Sequence, residues 1–262
     1  MNWQFVLFSK DEGIGTITLN RPEAMNALAG GMRQEILSAL EMAVADPEVK
    51  VIVLTGAGKA FCAGGDVHEF VSGVRPESDL PFDQRPTRDK IVLLIQSTGK
   101  PVIASVNGIA AGGGCNLALA CDMRIASDRA RFAEVFVRRG LHPDWGGTWL
   151  LPRLVGYAKA AELIFSGEVI DAQEALRIGL VNKVVPHEEL PKATKEFALK
   201  FIKNAPIPIS LAKRALQNYS RIDLAQALDY ERLAQTICWD TEDRAEGMKS
   251  FLEKREPLFR GK

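Results

Sequence analysis

The chain has 262 residues, 47% hydrophobic and 25% charged, enough for a sizeable core as one large domain or one domain with a small appendage. Its 33 Lys+Arg balance 33 Asp+Glu, so no global basic field favours nucleic acid or an anionic membrane, and neither partner is expected. No apolar stretch reaches transmembrane length and residues 1–10 carry no basic, long-apolar leader, so a cytoplasmic location is expected.

Phe5-Val-Leu-Phe8 and Ile14-Gly-Thr-Ile-Thr-Leu19 flank Asp11-Glu-Gly13 and read as a β-hairpin. Residues 20–26 form a loop. Met32, Ile36, Leu40 and Ala43 recur at helical spacing, which predicts a helix over 27–45. Residues 49–55 read as a fully buried strand. Residues 61–71 are a Gly-rich turn passing into a short helix, and the polar, Pro-containing stretch 72–87 is a surface loop. A helix over 89–96 precedes a strand over 102–106.

The turn Gly108-Ile-Ala-Ala-Gly-Gly-Gly-Cys115-Asn116 follows that strand and opens a small-residue helix over 113–121. Glycines let backbone approach a ligand closely. The first N–H groups of a helix are unpaired donors at its positive end. Short strands follow at 123–126 and 131–132, then a loop at 140–148. Helices then run to the C-terminus, at 158–165, 171–178, 188–203 and 207–216 among others. Strand–helix units repeated three times with right-handed crossovers predict an α/β spiral. Cys62, Cys115, Cys121 and Cys238 lack CxxC pairing and read as reduced thiols, and the three histidines are too scattered for a metal cluster, so no metal is expected.

A second glycine turn, Ala60-Phe-Cys-Ala-Gly-Gly-Asp66, also follows an apolar strand. Two amides converging on one carbonyl oxygen would form an oxyanion hole, each donor contributing roughly 2.7–4 kcal/mol in the transition state. Taken singly, each loop reads as a tight turn between packed elements.

Over essentially its whole length the chain resembles the enoyl-CoA hydratase/isomerase (crotonase) superfamily. The resemblance lies in Leu19-Asn-Arg-Pro-Glu-Ala-Met-Asn-Ala-Leu28, Gly58–Asp66, Lys100–Cys115, Cys121-Asp122, Gly146-Gly-Thr148, the segment 172–181 and Glu242-Asp-Arg-Ala-Glu-Gly247. It implies a spiral of repeated ββα units over 1–195 and a C-terminal helical trimerisation region over 196–262. It also implies a homotrimer or a hexamer built as a dimer of trimers, and an acyl-CoA thioester as substrate, with no separate cofactor because coenzyme A belongs to the substrate. Ala63 and Gly113 are then the two backbone donors. Glu23, Ala24, Met25, Gly64, Gly65 and Asp66 border the coenzyme, and Asn116, Phe136 and Trp145 the acyl end. Lys254, Arg255 or Lys262 would meet phosphates from a neighbouring subunit, and Glu246 would make a trimer salt bridge.

Hydratases of this family are similar to one another in two glutamates that hold water, and here those positions are Asn116 and Phe136, which cannot accept a proton at neutral pH. Glu134 falls two residues early, so it is expected to point elsewhere. Asp144 remains. Alone, Pro143-Asp144-Trp-Gly is an ordinary turn sequence. In the resemblance the aspartate matches the proton carrier of epoxyphenylacetyl-CoA isomerases and related enoyl-CoA isomerases. The expected activity is therefore a double-bond isomerase with Asp144 as proton shuttle. The alternatives are an enoyl-CoA hydratase (lyase) of fatty-acid or aromatic-acid degradation, a nucleophilic-aspartate hydrolase or dehalogenase, and a non-catalytic acyl-CoA binder.

Overall fold

The computed structural model describes residues 3–71, 86–218 and 220–262. A hairpin of β1 (Val6–Asp11) and β2 (Ile14–Leu19) opens the chain, as its alternation predicts. Helix α1 (Met32–Ala45) starts five residues later than expected. Residues 27–29 are held extended instead, because Leu28 pairs with Gly65 in an isolated parallel bridge.

Three ββα turns follow. In each, a longer strand lies in a large sheet and, after a sharp corner, a short strand lies in a small one. The pairs are β3 (Val51–Gly56) with β4 (Ala60–Cys62), β5 (Val102–Val106) with β6 (Ile109–Ala111), and β7 (Met123–Ser127) with β8 (Arg131–Ala133). Helices α2 (Val67–Val71) and α3 (Thr87–Ser97) complete the first turn, and α4 (Gly113–Ala120) the second. Helices α5 (Gly147–Val155) and α6 (Tyr157–Ser166) belong to the third. The chain then runs through β9 (Val169–Asp171), α7 (Ala172–Arg177) and β10 (Lys183–Val185). The large sheet has the order β1-β2-β3-β5-β7-β10 and the small one β4-β6-β8-β9. This is an α/β spiral of ββα turns, the architecture the resemblance implies. Most of the loop expected at 72–87 lies outside the described residues; its last residue is Thr87, which opens α3.

The large sheet is covered on both faces, which explains its uninterrupted apolar strands. Along β3, Ile52 and Leu54 enter the main core with α1 and α4, whereas Val51 and Val53 face helix α8 (Leu190–Ile202) through Leu190, Ala193 and Ala198. The corners between sheets are tied by two asparagines. Asn26 Nδ2 donates to Ala57 O and Ala60 O, and Asn107 Nδ2 to Gly58 O and Ala60 O.

A division at 195/196 falls inside α8, which packs on the large sheet and so belongs to the spiral. The chain leaves the core only after Ile202, into α9 (Pro206–Asn218), α10 (Leu224–Trp239) and α11 (Glu242–Glu253). Helix α9 is pinned back by Lys213. Its buried Nζ meets Asp122 Oδ2 at 2.7 Å and donates to the carbonyls of Ile95 and Lys100.

Candidate active site

Two tight turns meet at the start of α4. Gly112, at φ 52° and ψ −124°, occupies backbone space that only glycine enters readily, and it swings the chain from β6 into the helix. Gly64 lies opposite at φ 91°; a Cβ there would sit 2.6 Å from Ala111 O and 3.5 Å from the Gly113 nitrogen. The absence of side chains therefore brings the 63–66 turn against the first amide of α4.

The amides of these turns differ in what they already hold. Ala63 N–H donates to Met25 O at 3.0 Å, so the expectation that Ala63 is an oxyanion donor is overturned: its proton is spent on the 22–28 segment. Gly64 N–H faces the Cys62 sulfur. The amides of Gly65 and Gly113 have no hydrogen-bond acceptor among the described residues. Gly113 is fully buried within α4's first turn and its dipole end, and Gly65 is half-buried.

Asp66 is also committed. Its Oδ2 accepts from Arg21 at 2.8 Å and its Oδ1 from His68 N at 2.9 Å, and the guanidinium holds its pKa below the usual carboxylate value. It fastens the Arg21 loop to the 63–68 turn. Glu23, Ala24 and Met25 lie on a short 3-10 turn (Pro22–Ala24) and its left-handed cap, with Met25 at φ 50°. Glu23 is exposed and 3.8 Å from Arg21, and the Met25 carbonyl joins this turn to Ala63.

The opposite wall is the 134–147 segment. Trp145 is buried and stands at φ 54°, an uncommon conformation for a bulky residue. Its indole lies over Gly113: a Cβ on that glycine would be 2.9 Å from Trp145 Nε1. Phe136 closes the same corner, 3.6 Å from where a Gly112 Cβ would be. The Asp144 side chain is 37% exposed; its Oδ1 is buried without a hydrogen-bond partner among the described residues, while Oδ2 lies 3.6 Å from an Arg88 guanidinium nitrogen. Burial raises its pKa above the ordinary 3.8 against the pull of Arg88.

Asn116 is fully buried on α4. Rather than standing free in the pocket, it donates through Nδ2 to Asp144 O at 2.9 Å and, more weakly, to Glu134 Oε2 at 3.4 Å. Glu134 does not point elsewhere, as its offset suggested. It is 2% exposed and faces Cys115 and Asn116, and burial raises its pKa from 4.5 to about 7. Strand alternation carried the signal: Glu134 is two residues beyond Phe132, which points into the core. Away from the cleft, Arg255 pairs with Glu246 and Glu253 of its own chain. Among the described residues no three His, Cys, Asp or Glu converge as metal ligands. All four cysteines are free thiols. No helix among the described residues is long and apolar enough to cross a membrane.

A cleft with two main-chain amides unpaired among the described residues, an apolar wall and a partly buried carboxyl group can stabilise an anion next to a proton-transfer group. The family model for enoyl-CoA hydratase/isomerase matches residues 9–262, and the chain belongs to this family, within the crotonase superfamily. It is 40% identical over 260 residues to a crotonyl-CoA hydratase of Syntrophomonas wolfei, covering 99% of both chains. It is 36% identical over 260 residues to a 1,2-epoxyphenylacetyl-CoA isomerase of Escherichia coli, again covering 99% of both. A crystal structure of an enoyl-CoA hydratase from Bacillus anthracis superimposes with a TM-score of 0.92 at 38% identity, covering 99% of this chain and 100% of that one.

Proposed function

We propose that the protein is an acyl-CoA double-bond isomerase in which Asp144 moves the proton and the amides of Gly65 and Gly113 receive the thioester oxygen. The observation that carries this reading is the placement of Asp144: its turn is bonded to Asn116 on the same helix whose first residue, Gly113, lies under Trp145. Removing a proton next to a thioester puts negative charge on its oxygen, and preorganised amides stabilise that enolate. A carboxylate whose pKa is raised by burial is the stronger base, and after protonation it can return the proton two carbons along. A 1,3-shift needs one such group and no positioned water. In this reading Glu23, Ala24 and Met25, which lie beside the 63–66 turn, border the coenzyme, and Phe136 and Trp145 form the dry acyl wall. A homotrimer is part of the proposal, since α10 exposes Leu224, Leu228 and Trp239. So is a cytoplasmic location.

Asp144→Asn is expected to keep binding CoA esters while losing α-proton exchange in deuterated water and isomerisation; unchanged turnover would refute the assignment. A hydratase is the second reading. Most of the named relatives are hydratases, which favours it over the double-bond shift, and the cleft does hold a second buried carboxyl group, Glu134. Incorporation of solvent oxygen into a 3-hydroxyacyl-CoA product would decide for hydration. A nucleophilic Asp144 would instead leave a covalent ester detectable by mass spectrometry.

A further inference from the structure

The turn carrying Asp144 is braced by a carboxyl group that the double-bond shift does not use. Glu134 follows β8 and is buried against α4. Its Oε2 accepts from Asn116, the Cys115 thiol bonds to it, and its Oε1 has no partner among the described residues. The same Asn116 amide donates to the main-chain carbonyl of Asp144. One two-proton donor therefore serves both Glu134 and the Asp144 turn. Asn116 Oδ1 and Asp144 Oδ1 are likewise buried without partners, so among the described residues three acceptor oxygens on three linked residues lack a donor. A proton carried by one of the carboxyls relieves this shortage; a second negative charge aggravates it.

We propose that Glu134 is a positioning residue for Asp144: as a neutral acid, bonded through Asn116, it holds the aspartate's turn and leaves Asp144 the sole carboxylate of the pair. The proposal rests on Asp144 as the proton carrier. Among the described residues the charged groups facing the pair are Arg88 and Asp89 of α3 and Arg33 of α1, all on the Asp144 side, and Arg124 beyond Cys115. Cys115 stays a neutral thiol because burial raises its pKa well above 9.0. The guanidinium groups near Asp144 favour its ionising first, and that charge then holds the proton on Glu134. Ionising Glu134 as well places a second negative charge beside Asp144 and beside the developing enolate, and both effects oppose the reaction. Glu134 gains its charge at about pH 7, so that is where the decline should begin.

The test is the pH profile of kcat/KM for α-proton exchange of enoyl-CoA esters in deuterated water, for the full-length protein and two variants. In the wild type the rate should fall above about pH 7. Glu134→Gln, which keeps an acceptor for Asn116 but cannot ionise, should stay within about threefold of wild type at pH 6 and lose the alkaline fall. Glu134→Ala should lower kcat by on the order of tenfold or more at every pH with KM little changed, because the turn loses its brace. A Glu134→Gln profile that falls where the wild type falls overturns the proposal. A protonated-carboxyl infrared band reads Glu134 without any turnover. It should be present at pH 6, vanish through about pH 7 and be missing in Glu134→Gln; its absence from the wild type also overturns the proposal. If no CoA ester exchanges its α-proton in the wild type, the isomerase reading fails, while the infrared result still decides the state of Glu134.

Discussion

Asp66 and Glu134 are both buried carboxyl groups whose pKa values move in opposite directions, because Asp66 gains a guanidinium partner and Glu134 gains only burial and weak donors. Asp66 therefore contributes stability above the ordinary aspartate range, lost as pH falls through its lower folded value. Glu134 does the reverse. Its folded pKa of about 7 lies above its ordinary 4.5, so across that window the folded state binds more proton and stability declines as pH rises. The slope is at most about 1.4 kcal/mol per pH unit. Thermal unfolding followed from pH 5 to about 7.5 should show a steeper loss in wild type than in Glu134→Gln; parallel curves would disprove the assignment. At this scale the motif marks the Asp144 turn, but the sequence does not show that the Ala63 amide is already bonded. Whether Ala63 or Gly65 has a free N–H depends on where the Met25 carbonyl ends up, 38 positions away along the chain, and no local pattern encodes that.

The elements around the cleft work by the absence of side chains at their ends. Gly113→Ala would drive a methyl group into the Trp145 indole, only 2.9 Å from the ideal Cβ, and push that lid from the amide. Its expected signature is a fall in kcat on the order of a hundredfold with the fold retained by circular dichroism. Helix α10 is stabilised differently: Asp223 accepts from Gln226 N at 2.8 Å, and Gln226 returns a bond to the cap backbone. Asp223→Ala should cost about 1 kcal/mol in chemical denaturation, with α-proton exchange unaffected in the folded protein. Long elements such as α1, α8 and β5 were legible from periodicity and apolar runs. The three-residue strands β4 and β6 were not, being read as parts of glycine turns. Strands that short have no period to detect; the asparagine corners and the neighbouring strands of the small sheet make them.

At the scale of the molecule, the helical tail is joined to the spiral by a buried cation. Lys213→Ala would leave Asp122 without its ion pair in the interior, and removing one partner of such a pair costs roughly 3–5 kcal/mol. Urea denaturation should show that loss. The proposed assembly can be tested on the tail's exposed apolar residues. Leu224 and Leu228, one helical turn apart on α10, are 76% and 55% exposed. Changing both to aspartate should yield monomers by sedimentation or light scattering if these faces bury each other in a homotrimer; an unaltered mass would remove α10 from the interface.

The sequence by itself determined the strand–helix spiral, its longer strands and helices, and the position of the aspartate turn, because these rest on local spacing and on motifs that each occupy a few consecutive residues; the short strands β4, β6, β9 and β10 were not among them. The tertiary structure alone decided which amides remain free, that Asn116 serves the Asp144 turn, and that Glu134 is a buried acid beside it. Those properties follow from which groups meet across the fold and how much water is excluded between them, and both are consequences of packing between segments distant in the chain.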